Sequence, residues 1–388
     1  MMTDPAGRRP EMMQEKSKIF FPNLDGLRFI AFFAVFFHHS LIVNCFNSDK
    51  GSFTHRFVAG MKENGALGVN LFFVLSGFLI TYLLLSEKNK FARINIPNFY
   101  LRRTLRIWPL YFLMVFTGFV LFPLIKKMLG GIPDETHSPG FYFLFISNFE
   151  QIRKGLADSS ILNVLWSVGV EEQFYILWPV VLFLVPVRHM LKIFALLIGI
   201  TIVFRWMNKD NPGLIYFHTL SIFSDMVVGG ISAWLAFSFP LFKELIQRMP
   251  RKIIISIYTA GTLLILCRFM IFSNSAYIVF ERIILSLFFA FVIIEQNFAG
   301  HSFYKLRNSK FLTNWGNYTY GLYCLHTIGL LGAHILSEKL LHLQNNWFIM
   351  GIDFSIGLGL TMFMAYISYS WFESPFLKLK SRFAYFIK

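Results

Sequence analysis

An all-α integral membrane protein, with about ten transmembrane helices and both termini cytoplasmic, is the fold class this sequence predicts. Three observations carry it. Hydrophobic residues make up 55% of the 388 and charged residues only 15%, a balance that fits a multi-pass membrane protein far better than a soluble domain. Apolar runs of roughly the twenty residues a helix needs to cross the hydrocarbon recur about ten times. Lysine and arginine gather in short clusters between them, which is how cytoplasmic loops are marked. The formal charge of +15 is therefore read as topology and not as a nucleic-acid surface.

The polar stretch 1–19 reads as a cytoplasmic tail with Arg8, Arg9, Lys16 and Lys18, followed by a run too long for a signal peptide. Residues 20–375 form the membrane domain and 376–388 a second cytoplasmic tail. The expected spans are 20–46, 67–85, 107–125, 172–187, 191–207, 214–237, 253–272, 276–295, 312–336 and 348–372. Pro179 should kink the fourth. A weaker patch, 141–149, is too short to cross and reads as re-entrant or interfacial. Counted over alternate connections and the tails, Lys and Arg divide 23 against 11. The richer set contains both tails, so both face the cytoplasm, as an even number of spans requires. No fixed-period repeat or low-complexity segment stands out. Cys45, Cys267 and Cys324 each lie in or beside an apolar run, with neither a disulfide spacing nor a metal-site spacing.

Ionisable groups at membrane depth are costly and point to function. Arg28 and His39 stand eleven residues apart in the first run, almost three whole turns, so they share one face about 16 Å apart along the axis; His38 points elsewhere. Arg28 alone is equally a snorkelling interfacial arginine. His39 is either a bonded core histidine or a base working near neutral pH. In the second run, GVNLFFVLSGF at 68–78, Ser76 and Gly77 allow close helix contact, and a buried Asn70 needs hydrogen-bond partners. Arg103 and Arg106, three apart at the entrance of the third run, present paired guanidinium groups suited to phosphate, beside the topological reading of the same charges. Glu171 and Glu172 stand at the start of the fourth, where a helix N-terminus favours carboxylates; Glu171 should lie level with His39. Asp225 and His326 are candidate site-lining residues. For Arg282 and Glu373 a structural ion pair is the expectation.

Taken in order, these segments resemble acyltransferase family 3, the integral-membrane O-acyltransferases. LDGLR at 24–28 through His39 is similar to that family's Arg-x10-His signature, and 68–78 to its second-helix motif. RTLR at 103–106 is similar to its Arg-x-x-Arg element, WSVGVE at 166–171 to its Trp-Ser-Leu-x-Val-Glu element, and YGLYCLH at 320–326 and WFESP at 371–375 to its late helices. Asn70 departs from the aspartate common at its place, so it receives no acid-base role. The resemblance implies an acyl-CoA donor, usually acetyl-CoA, no metal, and a hydroxyl acceptor on a bacterial surface saccharide such as lipopolysaccharide O-antigen or an exopolysaccharide, in the inner membrane. It further implies the form without an extracytoplasmic esterase-like domain. On this basis Arg28, Arg103 and Arg106 would hold CoA phosphates, and His39, assisted by Glu171, would deprotonate the acceptor. The competing expectation is a secondary transporter or flippase using the same intramembrane His, Asp and Arg; a third is a structural partner in a polysaccharide-assembly complex.

Overall fold

Each of the ten apolar runs holds a long helix in the computed structural model, which describes residues 19–40, 53–274, 276–337 and 347–383. The helices are α1 Pro22–Ser40, α2 Phe53–Gly65, α3 Leu67–Phe91, α4 Ile96–Phe116, α5 Leu165–Leu184, α6 Met190–Met207, α7 Thr219–Ser238, α8 Arg251–Ile271, α9 Ile278–Phe298, α10 Thr319–Ile335 and α11 Trp347–Ile367. Every element assigned among the described residues is helical. Seven of the described helices are long and apolar enough to cross a membrane: α3 to α8 and α11, most of them extended by neighbouring turns. The other three of the ten are more polar or shorter. α1 carries Asn23, Asp25, Arg28, His38 and His39, α9 carries Glu281, Arg282 and Glu295, and α10 has 17 residues. The tails 1–18 and 384–388, and the end of the first run with Cys45, lie outside the described residues.

Several boundaries differ from the expected ones. α4 begins eleven residues before position 107, at Ile96, because Asn95 Oδ1 accepts the Asn98 N–H at 3.0 Å and Pro97 fits the first turn. α5 begins at Leu165 and not at 172, so Glu171 and Glu172 sit well inside it. Their expected place at a helix N-terminus is thereby corrected: side-chain partners, and not the helix end, hold them. The run 214–237 breaks at His218, whose Nδ1 accepts the Leu220 N–H at 3.2 Å, and 312–336 breaks at Asn317 and Tyr318. Pro179 lies inside α5, where it removes one backbone donor.

Close backbone contact ties the centre together. A Cβ at Gly77 of α3 would stand 2.0 Å from the Met226 carbonyl of α7, and one at Gly68 would stand 2.3 Å from the Ala31 carbonyl of α1. Only glycine admits such approach. α6 and α8, by contrast, leave Leu191, Leu196, Val203, Ile253, Leu263 and Leu266 exposed, as lipid-facing helices do.

The patch 141–149 folds as parts of two short helices, Pro139–Phe143 and Ser147–Lys154, packed onto the bundle. Between them Phe145 adopts φ +57°, an uncommon conformation for a side-chain-bearing residue, and stacks on Tyr111 with ring centroids 4.4 Å apart. Its carbonyl accepts from Gln173 Nε2 of α5 at 2.8 Å. Burial alone would raise the Glu150 carboxyl; Lys154, the Ser138 N–H and Arg153 outweigh it and hold the group below its usual range. Lys126 and the Asp134 N–H likewise hold Asp158 low against burial.

Candidate active site

α1 and α3 run side by side in opposite directions, Gly65 beside Ala34 and His38, Gly68 beside Ala31 and Val35. That register carries Ser76 toward the level of Arg28, and α5, running along α3, brings Glu171 and Tyr175 to the same level. Ser76 Oγ donates to Glu171 Oε1 at 2.9 Å; the Tyr175 hydroxyl donates to Glu171 Oε2 at 2.9 Å and lies 3.1 Å from Ser76 Oγ. Arg103 of α4 stacks over the Tyr175 and Phe99 rings, 5.3 and 5.5 Å from their centroids. Arg28 Nη1 donates to Asp25 Oδ1 at 2.5 Å, and Arg28 and Arg103 are both within electrostatic range of Glu171 and of Arg106.

Three guanidinium groups from two helices thus lie close to one another, two of them within electrostatic range of Glu171. Arg103 and Arg106 make no hydrogen bond or ion pair to any described residue, and both are partly open. Ten N–H donors in planar forks suit an anion with several acceptor oxygens. Glu373 belongs to the edge of this group: it accepts from Ser368 Oγ at 2.9 Å and has Arg106 within electrostatic range, in place of the expected ion pair.

His39 lies toward the other end of α1, and the structure gives it a partner other than Glu171. His326 Nε2 of α10 stands 3.0 Å from His39 Nδ1, while His326 Nδ1 is 2.5 Å from the Tyr323 carbonyl. A carbonyl only accepts, so His326 Nδ1 carries the proton and, in the neutral ring, Nε2 accepts. His39 Nδ1, 3.0 Å from both His326 Nε2 and the Val35 carbonyl, is then the donor. The proton placement follows from the acceptors and leaves His39 Nε2 with a free lone pair. The expected Glu171–His39 pairing is therefore corrected, since both Glu171 oxygens are engaged a few turns away. His38 is held apart, its Nδ1 at 2.5 Å from the Lys62 carbonyl. Tyr323 anchors this group, its hydroxyl 2.6 Å from Ser167 Oγ of α5.

Arg282 has the ion pair expected of it, and its partner is Asp225, Nε to Oδ2 at 2.7 Å; with Ser286 Oγ also donating to Asp225 Oδ1 at 2.8 Å, both oxygens of this site-lining candidate are engaged. Glu172 is buried and accepts from Trp108 Nε1 at 3.1 Å. Asn70 is buried on α3 between the arginine and histidine levels, with no hydrogen bond to a described residue. Sequence reasoning missed Asp25, Trp108, Tyr175 and Tyr323. Two of them carried a readable signal: Tyr175 is four residues after Glu171 and Tyr323 three before His326, spacings that put each pair on one helix face.

A family model described as "Acyltransferase domain" matches residues 21–371. The peptidoglycan O-acetyltransferase OatA of Listeria monocytogenes is 33% identical over 66% of the chain and 40% of its own length. A putative O-acetyltransferase of Staphylococcus aureus is 27% identical over 94% of the chain and 58% of its own length. The putative peptidoglycan O-acetyltransferase YrhL of Bacillus subtilis is 26% identical over 92% and 55%. The chain thus spans about half the length of these relatives. No solved structure matches.

Proposed function

The chain belongs to acyltransferase family 3, and on that premise we propose that it is an O-acetyltransferase moving an acetyl group from cytoplasmic acetyl-CoA to a hydroxyl of a cell-envelope glycan. Its setting is the bacterial inner membrane, with ten spans and both termini cytoplasmic. The observation that carries the reading is the pairing of an anion-ready arginine cluster with a histidine whose Nε2 is free, at opposite ends of one helix. Arg103 and Arg106, with Arg28 oriented by Asp25, hold the CoA phosphates; the pantetheine arm runs along α1 toward His39. His39 Nε2 takes the proton of the acceptor hydroxyl while its oxygen bonds to the thioester carbonyl carbon. The C–S bond then breaks, the CoA sulfur takes the proton back, and the acetate ester remains on the glycan. His326 keeps the His39 tautomer that makes this possible, and Glu171, with Ser76 and Tyr175, orients the arginines.

The relatives described as peptidoglycan O-acetyltransferases favour peptidoglycan over lipopolysaccharide as the acceptor, and the family favours transfer over transport. The test is acetyl transfer from labelled acetyl-CoA by the full chain in nanodiscs. His39→Ala should lower transfer about 10²–10⁴-fold while coenzyme A still binds; full transfer by a folded His39→Ala protein overturns the assignment.

A further inference from the structure

Arg282 is 7% exposed, and after its bond to Asp225 its Nη2 remains buried with no hydrogen-bond partner among the described residues. A buried guanidinium nitrogen left without an acceptor is costly. The surrounding charge makes it more so. Arg205, 2% exposed, gives its donors to neutral groups: the carbonyls of Val279, Ile278 and Ile215 and the Ser221 hydroxyl. It lies within electrostatic range of both Arg282 and Asp225. Two buried guanidinium groups therefore share one carboxylate, since nearby Glu281 is already matched by Arg268 at 2.7 Å. One positive charge stands unbalanced, and a free N–H marks where an anion would bind.

The place lies at the depth of the proposed chemistry. Asn23 of α1 bonds the Gln296 carbonyl of α9 at 2.8 Å, which sets the two helices in register at one end. Fourteen residues up α9 is Arg282 and sixteen up α1 is His39, or about 21 and 24 Å, so the two stand at similar depth. Tyr216 bridges the gap. Its hydroxyl has no hydrogen bond to a described residue and is within electrostatic range of Arg282 and of Tyr323, whose ring lies 5.7 Å from that of His326. Its ring lies 5.4 Å from that of Trp166, and 39% of its surface is open. Among the described residues the carboxylate within electrostatic range of Tyr216 is that of Glu63, which is exposed to solvent, and Arg268 adds a second cation.

We infer that Arg282 Nη2 and the Tyr216 hydroxyl form an acceptor subsite for the carboxylate of an acidic sugar, seated against the open Tyr216 ring with its reacting hydroxyl toward His39. The inference rests on the reading that the acceptor is a saccharide, and adds that it is an anionic one. Calorimetric titration of the full chain in nanodiscs with methyl glucuronide and with methyl glucoside tests it, because the two differ only in the carboxylate. The wild-type protein should bind the glucuronide about tenfold or more tightly than the glucoside, the expectation for one charged hydrogen bond. Arg282→Lys, which keeps a cation for Asp225, and Tyr216→Phe should each shrink that preference while coenzyme A binds as before. Equal binding of the two glycosides by the wild type, or a preference that survives in both variants, overturns the inference. A protein that prefers the glucuronide yet transfers no acetyl group sustains this subsite and removes the transferase reading.

Discussion

Arg103 and Arg106 owe their importance to what they lack. With no acceptor among the described residues, their donors are free for a ligand, and each charge-assisted bond lost to phosphate is worth about 1.5–3 kcal/mol. Arg103→Ala or Arg106→Ala should raise the KM for acetyl-CoA about 10- to 100-fold, measured with saturating acceptor; Arg106→Lys should recover only part, since lysine offers no planar fork. In the proposed mechanism His326 is a positioning residue. His326→Phe removes the ring nitrogen that accepts from His39, so kcat should fall while the KM for acetyl-CoA stays unchanged; a rise in KM alone would place His326 with the donor. His39→Ala itself should cost about 10²–10⁴ in kcat, the usual worth of a general base. At this scale the sequence was informative about identity and silent about partnership. Spacing put Arg28 and His39 on one face of α1, but whether His39 meets Glu171 or His326 depends on three helices whose relative rotation no linear pattern records.

Helix contact is decided by the smallest side chains. Gly77→Val should weaken the α3–α7 contact, because any Cβ there meets the Met226 carbonyl at 2.0 Å; overpacking of this kind costs about 1–3 kcal/mol, read as a lower melting temperature in detergent. The short helices of 139–154 carry a pH dependence. Glu150 and Asp158 are held below their ordinary values in the folded chain, so the stability they contribute is present above the unfolded carboxylate range and is lost as pH falls through their depressed folded values. Protection against hydrogen exchange across 134–163, taken relative to the unstructured rate at the same pH, should therefore fall below about pH 4, while protection in α3 and α7 stays high. Element existence was legible from apolar runs of spanning length. Element starts were not: the early turns of α4 carry Asn98, Arg102, Arg103 and Arg106 and those of α5 carry Ser167, Glu171 and Glu172, which hydropathy discounts, and Asn95 capping and buried partners for Glu171 and Glu172 hold them helical.

On the scale of the whole molecule, the proposed function requires a donor end facing the cytoplasm and an acceptor end facing out. Single cysteines placed in the connections after α3, α5 and α7, in a background lacking Cys45, Cys267 and Cys324, should react with impermeant maleimide only in inverted membranes, and those at 127–155 only in intact spheroplasts; the reverse would overturn the proposed orientation. The sequence by itself determined the all-helical membrane class, the family and the residues that carry charge into the bundle, because hydropathy, charge asymmetry and ordered motifs are properties of the linear chain. Only the tertiary structure decided which of those residues meet. The His39–His326 contact, the Glu171–Ser76–Tyr175 cluster and the Asp225–Arg282 pair each join helices distant in sequence. Their distances are set by how closely glycine lets backbones approach and by which buried polar atoms must find one another in a medium that offers no water.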